Sequence, residues 1–241
     1  MSSLETRKIE PQSGTTVTLG AGGDTVLVSA DQLKTNTVKD AGGNTIFTSD
    51  GAGTLSSVNS GLKGGMIFIS SQIASSSSSI SFTSGLDSTY DEYVFYFVNM
   101  HIASNGERLQ FQVSTDGGSS YGVAITSTYF DARHKENDTD AGLTYQPAQD
   151  LQNSTSYQDL NRGMGINDDD SHCGELHLFA PSSTTYLKQF YGTCNHVEHG
   201  PTSMNGFVGG YVNTGSAVDA INFKCSSGNI DDGTIYLYGI S

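Results

Sequence analysis

Residues 167–171 read Asn-Asp-Asp-Asp-Ser, three carboxylates and an amide in succession. Hard cations such as calcium take oxygen donors of this kind, and Asp168 and Asp170 are the side chains that such a site would use. The grammar of a calcium loop is incomplete, however. No glycine stands at the required turn and no distal bidentate glutamate follows, so the stretch reads first as a solvated acidic loop. Asn229-Ile230-Asp231-Asp232-Gly233 reads as a turn. A softer donor set lies in Cys194-Asn195-His196-Val197-Glu198-His199, with His172-Cys173 upstream. Structural zinc sites favour paired CxxC or HxxxH spacing, and Cys-x-His-x-x-His is neither. In a trimer one His196 per subunit could meet its mates on the axis and bind a metal. His196, His199, Asp168 and Asp170 are therefore the metal candidates, set against the simpler expectation of no metal and no cofactor.

Covalent and acid–base chemistry has no visible carrier. G-x-S-x-G, G-x-x-x-x-G-K-[ST] and H-E-x-x-H are all missing from the sequence. Carboxylates are abundant, but no pair is marked out as the acid and base that glycoside hydrolysis needs. The expectation is a non-enzymatic protein, with a polysaccharide depolymerase as the distant alternative. Sugar binding is a different matter, because tyrosine rings stack on sugar faces while Asp and Asn accept hydroxyl hydrogen bonds. The polar stretch from His134 to Asp170 carries Tyr145, Asp150 and Tyr157. It reads as a long excursion between strands, where binding residues concentrate. The simpler reading is that the two tyrosines pin the excursion down, their hydroxyls at a wet edge.

Other features are structural. Ser114-Thr115-Asp116-Gly117-Gly118-Ser119-Ser120-Tyr121 resembles the Asp-box turn of sialidases and related β proteins, with tyrosine where tryptophan is usual. Such a turn uses its aspartate to cap backbone N–H groups and its glycines to reach positive φ. His177 alternates with Leu176 and Leu178 and reads as a surface strand residue. Three widely spaced cysteines, Cys173, Cys194 and Cys225, form no disulfide framework and read as reduced thiols.

The elements that must position these residues are strands. There is no tryptophan, there are four prolines and 29 glycines, and no long stretch has helical periodicity. Candidate strands are Gly65–Ser70, Ser79–Thr83, Glu92–Met100, Leu109–Ser114, Ile125–Asp131, Gly174–Phe179, Tyr186–Cys194, Gly206–Tyr211, Ala220–Lys224 and Gly233–Gly239. The run Tyr93–Val98 is apolar on both faces, as a central strand should be. About ten strands at this spacing fit a jelly-roll-like antiparallel sandwich. The fold class is therefore all-β, with residues 64–241 as a sandwich knob.

Residues 1–63 differ in kind. They contain no tyrosine and one phenylalanine, Phe47, and carry five basic and six acidic side chains of a chain whose net charge is −14. Their large apolar residues are too sparse to offset an ordering cost of about 1–2 kcal/mol per residue within one chain. Yet Ala21-Gly22-Gly23-Asp24-Thr25-Val26 recurs as Ala41-Gly42-Gly43-Asn44-Thr45-Ile46, a glycine turn followed by a β-branched run. A repeated turn-plus-strand unit is built to stack. The segment reads as an extended, glycine-rich arm for docking or oligomerisation, burying Ile9, Val17, Leu19, Val26, Val28, Ile46 and Phe47 between chains.

The excess of 25 acidic over eleven basic side chains shows no basic patch for nucleic acid. The run GMIFIS is too short to cross a bilayer, and the first fourteen residues lack an apolar signal core. The expectation is a soluble protein made in a cytosol.

Several segments resemble structural proteins of marine tailed bacteriophages. They are Thr6–Thr15 (TRKIEPQSGT) with Leu19–Thr25 (LGAGGDT), FTSGLDSTYDEYVFYFVNMHIAS at 82–104, QVSTDGGSSY at 112–121, GELHLFAPSST at 174–184 and FKCSSGNIDDGTIYLYGI at 223–240. The resemblance spans nearly the whole chain. It implies a virion appendage, meaning a tail fibre, head fibre or capsid decoration protein. It also implies a homotrimer with an N-terminal virion-attachment arm, a C-terminal β knob and a place on the virion surface. The implied partners are copies of itself, other virion proteins and host-surface polysaccharide. No catalytic residue is carried over, and the chain lacks the long shaft of a complete tail fibre.

Overall fold

The computed structural model describes residues 35–52, 55–56, 58–59, 65–198 and 200–240. Among them there is no helix, and every paired strand runs antiparallel to its neighbour. The chain divides into two units, Met1–Leu62 and Lys63–Ser241, one residue from the boundary that composition suggests.

In the first unit β1 (Thr37–Lys39), β2 (Thr45–Ser49) and β3 (Leu55–Ser56) form a three-stranded sheet in that order. The second copy of the repeat makes its first hairpin. Gly43 takes φ +83 and donates its N–H to the Asp40 carbonyl at 3.0 Å, while the Asp40 carboxylate accepts the Asn44 N–H at 2.8 Å. Phe47 lies opposite Val38, and Ile46 is its neighbour on β2. Both are half-buried, and no described residue of this unit is fully buried. The first copy of the repeat, with Ile9, Val17, Leu19, Val26 and Val28, lies outside the described residues.

The second unit holds β4 (Met66–Ile73), β5 (Ile80–Phe82), β6 (Glu92–Ile102), β7 (Leu109–Ser114), β8 (Ile125–Lys135) and β9 (Ala141–Tyr145). There follow β10 (Gln158–Asp159), β11 (His172–Phe179), β12 (Lys188–Glu198), β13 (Thr202–Val212), β14 (Ala220–Cys225) and β15 (Ile230–Ile240). A larger sheet runs β4-β15-β6-β11-β12-β13-β8-β9 and a smaller one β10-β7-β14-β5. The first strands pair with the last, β4 with β15 and β5 with β14, the nested closure of a jelly-roll-like sandwich. Alternation builds the core. Tyr93, Phe95 and Phe97 of β6, Leu176 and Leu178 of β11 and Ile235 and Leu237 of β15 are at most 1% exposed. Phe95 and Phe97 each meet Phe223 from the smaller sheet edge-on, with ring centroids 5.3 Å apart. Burying such a side chain contributes roughly 1.5–3 kcal/mol.

All ten expected strands are present, several longer than their apolar patterns suggested. β8 continues to Lys135, and β12 and β13 form a long hairpin from Lys188 to Val212. The alternation persists through polar residues there, which hydrophobic periodicity does not reveal. The stretch from His134 to Asp170 is not a free excursion. It supplies β9 to the edge of the larger sheet and β10 to the edge of the smaller one, and so straps one flank of the sandwich. Backbone bonds fasten it between those strands: Ser127 N–H to the Leu151 carbonyl at 3.0 Å, and Ile125 N–H to that of Ser154 at 2.8 Å. The Gln112 side-chain amide, fully buried, donates to the Val123, Thr155 and Ser156 carbonyls.

The Asp-box-like turn is a cap. Asp116 accepts hydrogen bonds from Ser114 Oγ, Ser120 N and Ser120 Oγ, which hold its carboxyl down at about 2. Gly117 and Gly118 take φ +70 and +83, and a Cβ on Gly118 would sit 2.8 Å from Tyr121 Oη.

Candidate functional site

Directly opposed residues of an antiparallel pair share a face. With Tyr93, Phe95 and Phe97 inside, the register places one row outside that runs Phe68, Tyr238, Val94, His177, Tyr191, Gly209 and Thr128. The next outward row runs Ser71, Tyr236, Tyr96, Glu175, Thr193, Phe207, Phe130 and Tyr145. Eight aromatic rings and one imidazole thus lie across the outer face of the larger sheet. They pack on one another. Phe130 stacks on Phe207 at 4.8 Å and 13°, His177 on Tyr191 at 4.4 Å and 11°, and Tyr238 meets Phe68 edge-on at 5.6 Å. Val94 lies in the first of these rows and is fully buried.

Gly209 breaks the first row. A Cβ there would find nothing nearer than the Phe190 carbonyl at 3.9 Å, so the missing side chain leaves open space. The result is a slot of about 380 Å³ lined by Thr128, Phe130, Tyr191, Phe207 and Gly209. Its walls are nearly all carbon, suited to a flat apolar group laid against the rings. Two carboxylates, Glu92 and Glu175, flank His177, at 2.6 Å from Nδ1 and 3.5 Å from Nε2. Only the Glu92 contact is a hydrogen bond; Nε2 has no hydrogen-bond partner among the described residues.

Tyr145 and Asp150 are brought together at the rim of this face. Tyr145 lies on edge strand β9 opposite Phe130, is 59% exposed, and donates its hydroxyl to Asp150 Oδ2. That bond pushes the Tyr145 pKa up. The other oxygen of Asp150 accepts the Tyr129 N–H at 2.8 Å, which fixes the carboxylate on the sandwich. Tyr157 is not part of this cluster. Just before β10, it belongs to the smaller-sheet side, where its hydroxyl donates to Asn222 at 2.9 Å and Lys224 Nζ lies 4.1 Å over its ring. Tyr157 pins the strap, whereas Tyr145 presents a ring.

Asp168 and Asp170 line an acidic cleft of about 540 Å³ with Asp169, Asp232, His101 and Asn99. Asp170 is spent on its own loop: its Oδ2 accepts Asn167 N and Nδ2 at 3.0 and 2.9 Å. His196 is elsewhere in kind. It faces inward from β12 and is 1% exposed, so it cannot meet symmetry mates on an axis. The spacing that suggested a ligand set reflects strand alternation, which turns Phe190, Cys194 and His196 alike into the core. His196 Nε2 donates to the Arg162 carbonyl at 2.8 Å, and Asn161 donates to His172 Nδ1 at 2.8 Å. Burial lowers the pKa of both imidazoles, that of His172 to about 3, so both are neutral at pH 7. His199 lies outside the described residues. Among the described residues no three His, Cys, Asp or Glu side chains are arranged to hold a metal.

Sequence reasoning found Tyr145 and Asp150 and missed Phe130, Tyr191, Phe207 and Gly209. The signal lay in the alternation of Thr-Tyr-Phe-Asp at 128–131 and Phe-Val-Gly-Gly-Tyr at 207–211, half of which points away from any core. Comparison with protein-family models, curated proteins and solved structures finds no match for this chain.

Proposed function

We propose that the chain is a non-enzymatic structural component of a bacteriophage virion, an appendage protein of the fibre type. Residues 1–63 dock to the particle or intertwine between like chains, with a homotrimer as the expected stoichiometry. Residues 64–241 form an exposed knob on the virion surface. The resemblance of both parts to phage structural proteins supports this reading. The observation that carries it is the contrast in burial: the described arm residues bury nothing fully, while the sandwich packs its own core. A sheet of that kind gains a core by lying on another protein, where strand addition supplies hydrogen bonds without a hydrophobic interior of its own.

In this reading the Tyr145 ring and the Asp150 carboxylate form the place where a host-surface glycan would be held. The ring offers a flat apolar face, and the carboxylate, anchored through Tyr129 N–H, accepts sugar hydroxyls. Tyr145→Ala should weaken adsorption of the protein to host polysaccharide by about fivefold, in line with about 1 kcal/mol for a lost ring contact. Unchanged adsorption would remove the glycan role from this pair.

Labelling of intact particles with an antibody against residues 64–241, viewed by electron microscopy, tests the virion assignment. Label confined to the tail or to head fibres supports an appendage. Label spread over the capsid shell makes the protein a decoration or cement protein, with the arm clamping neighbouring capsid subunits. Particles that carry no label overturn the assignment.

A further inference from the structure

Phe68 is 56%, Tyr191 46% and Phe130 39% exposed on the outer face of the larger sheet. Single exposed rings need no explanation, but a continuous aromatic face across a whole sheet marks a surface that something covers. We propose that a second copy of this chain covers it, the larger sheets of two sandwiches packing outer face to outer face. This goes beyond the proposed function, in which only the arm joins like chains, and it does not depend on the phage assignment.

Two observations choose the occupant. The first is area. The seven strands from β4 to β8 in sheet order, about 4.8 Å apart and each with about four outward positions some 6.8 Å apart, span roughly 800 Å² and leave Tyr145 on edge strand β9 at the rim. A specific interface takes about that much from each partner. The second is charge. Residues 64–241 hold six basic and nineteen acidic side chains, so most of the surface repels another copy. In the two rows traced above the only carboxylate is Glu175, and it lies against His177 as Glu92 does. Like-charged chains bring few carboxylates together here, Glu175 and Glu92 of the nineteen acidic side chains of residues 64–241. A basic partner would find almost nothing to pair with, and a sugar would find few hydrogen-bonding groups in the carbon-lined slot. Another aromatic face suits both, since facing sheets pack about 10 Å apart by interdigitating side chains. The gap at Gly209 then takes a ring from the opposite copy.

The test uses the full chain. Sedimentation velocity over a range of concentrations should give the wild type a mass of at least twice 25.5 kDa. The double variant Tyr191→Lys/Phe207→Lys, with wild-type circular dichroism, should need at least tenfold more protein to associate. If that variant misfolds, Thr193→Glu, in the row of Phe207, serves instead. Native Cys173 gives a second readout, because it is the exposed cysteine and lies in the outward row with Asn195 and Asn205. Its alkylation should slow as wild-type concentration rises, and should not slow in the double variant. Phe47→Lys, in the arm, separates this contact from the arm's. A folded face variant of wild-type mass, with only Phe47→Lys lowering it, would overturn the proposal and leave assembly to the arm. So would a wild type that is monomeric at every concentration, including one whose adsorption to polysaccharide is lost in the double variant.

Discussion

Along β13, Gly206, Val208 and Gly210 face the interior of the sandwich, while Phe207, Gly209 and Tyr211 face out. Two adjacent glycines therefore stand in the same strand for opposite reasons. A Cβ on Gly210 would lie 2.3 Å from the Thr126 carbonyl oxygen and 2.8 Å from Ser127 Cα, so the inner position is glycine because nothing else fits. At Gly209 there is room for a side chain and none is present. The inner face of the larger sheet is thus fixed by volume. Its outer face is made of rings that the fold does not need for its own core, and residues that folding does not dictate are open to selection for contact with something else.

The largest expected effect tests whether the faces differ at all. Phe95→Ala, inside and fully buried against Phe82 and Phe223, should cost about 3–5 kcal/mol in urea denaturation. Phe207→Ala, outside, should cost about 1 kcal/mol, mostly its stacking on Phe130. Equal losses would break the comparison. Next comes the glycine pair. Gly210→Ala should destabilise by about 1–3 kcal/mol through overpacking.

Acid sharpens the comparison through the two inward imidazoles. The unfolded chain takes up a proton on each histidine as pH falls below about 6.5, whereas burial keeps His172 and His196 neutral in the fold. The unfolded state then binds more protons, so stability is lost on acidification from about 6.5 towards the His172 value of about 3. Each group contributes a slope of about 1.4 kcal/mol per pH unit. Denaturation midpoints at pH 7 and pH 5 measure it, and His196→Gln should flatten the curve. The smallest effect is Gly209→Ala, which should leave stability unchanged or raise it by up to about 0.5–1 kcal/mol by removing backbone freedom. A large loss there would mean that the slot belongs to the core.

The strands were legible because alternation survives in the chain. Tyr93–Val98 reads as apolar on both faces, and the reason is visible: Tyr93, Phe95 and Phe97 fill the core, while Val94 is fully buried even in an aromatic outer row. β9 and β10 were not legible, since a five-residue stretch with glycine and a two-residue Gln-Asp pair become strands only by lying against β8 and β7. Tyr145 and Asp150 stand five residues apart and could be paired on the page. Tyr157 could not be separated from them, because the strap passes from one sheet to the other between residues 145 and 158. The outer face was hidden most completely. Its residues run from Phe68 to Tyr238, and the register between strands far apart in the chain is what lines them up.

β15 lies between β4 and β6 in the larger sheet, although it follows both by more than a hundred residues of chain. While residues 230–240 are still within the ribosome, β4 has no sheet neighbour and β6 has one open edge. A nascent sandwich therefore waits with unpaired, aromatic-rich strands until its closing strand emerges, the slow and exposed route that long-range β pairing imposes. A premature stop near residue 229 would yield an aggregate rather than a slightly shortened protein.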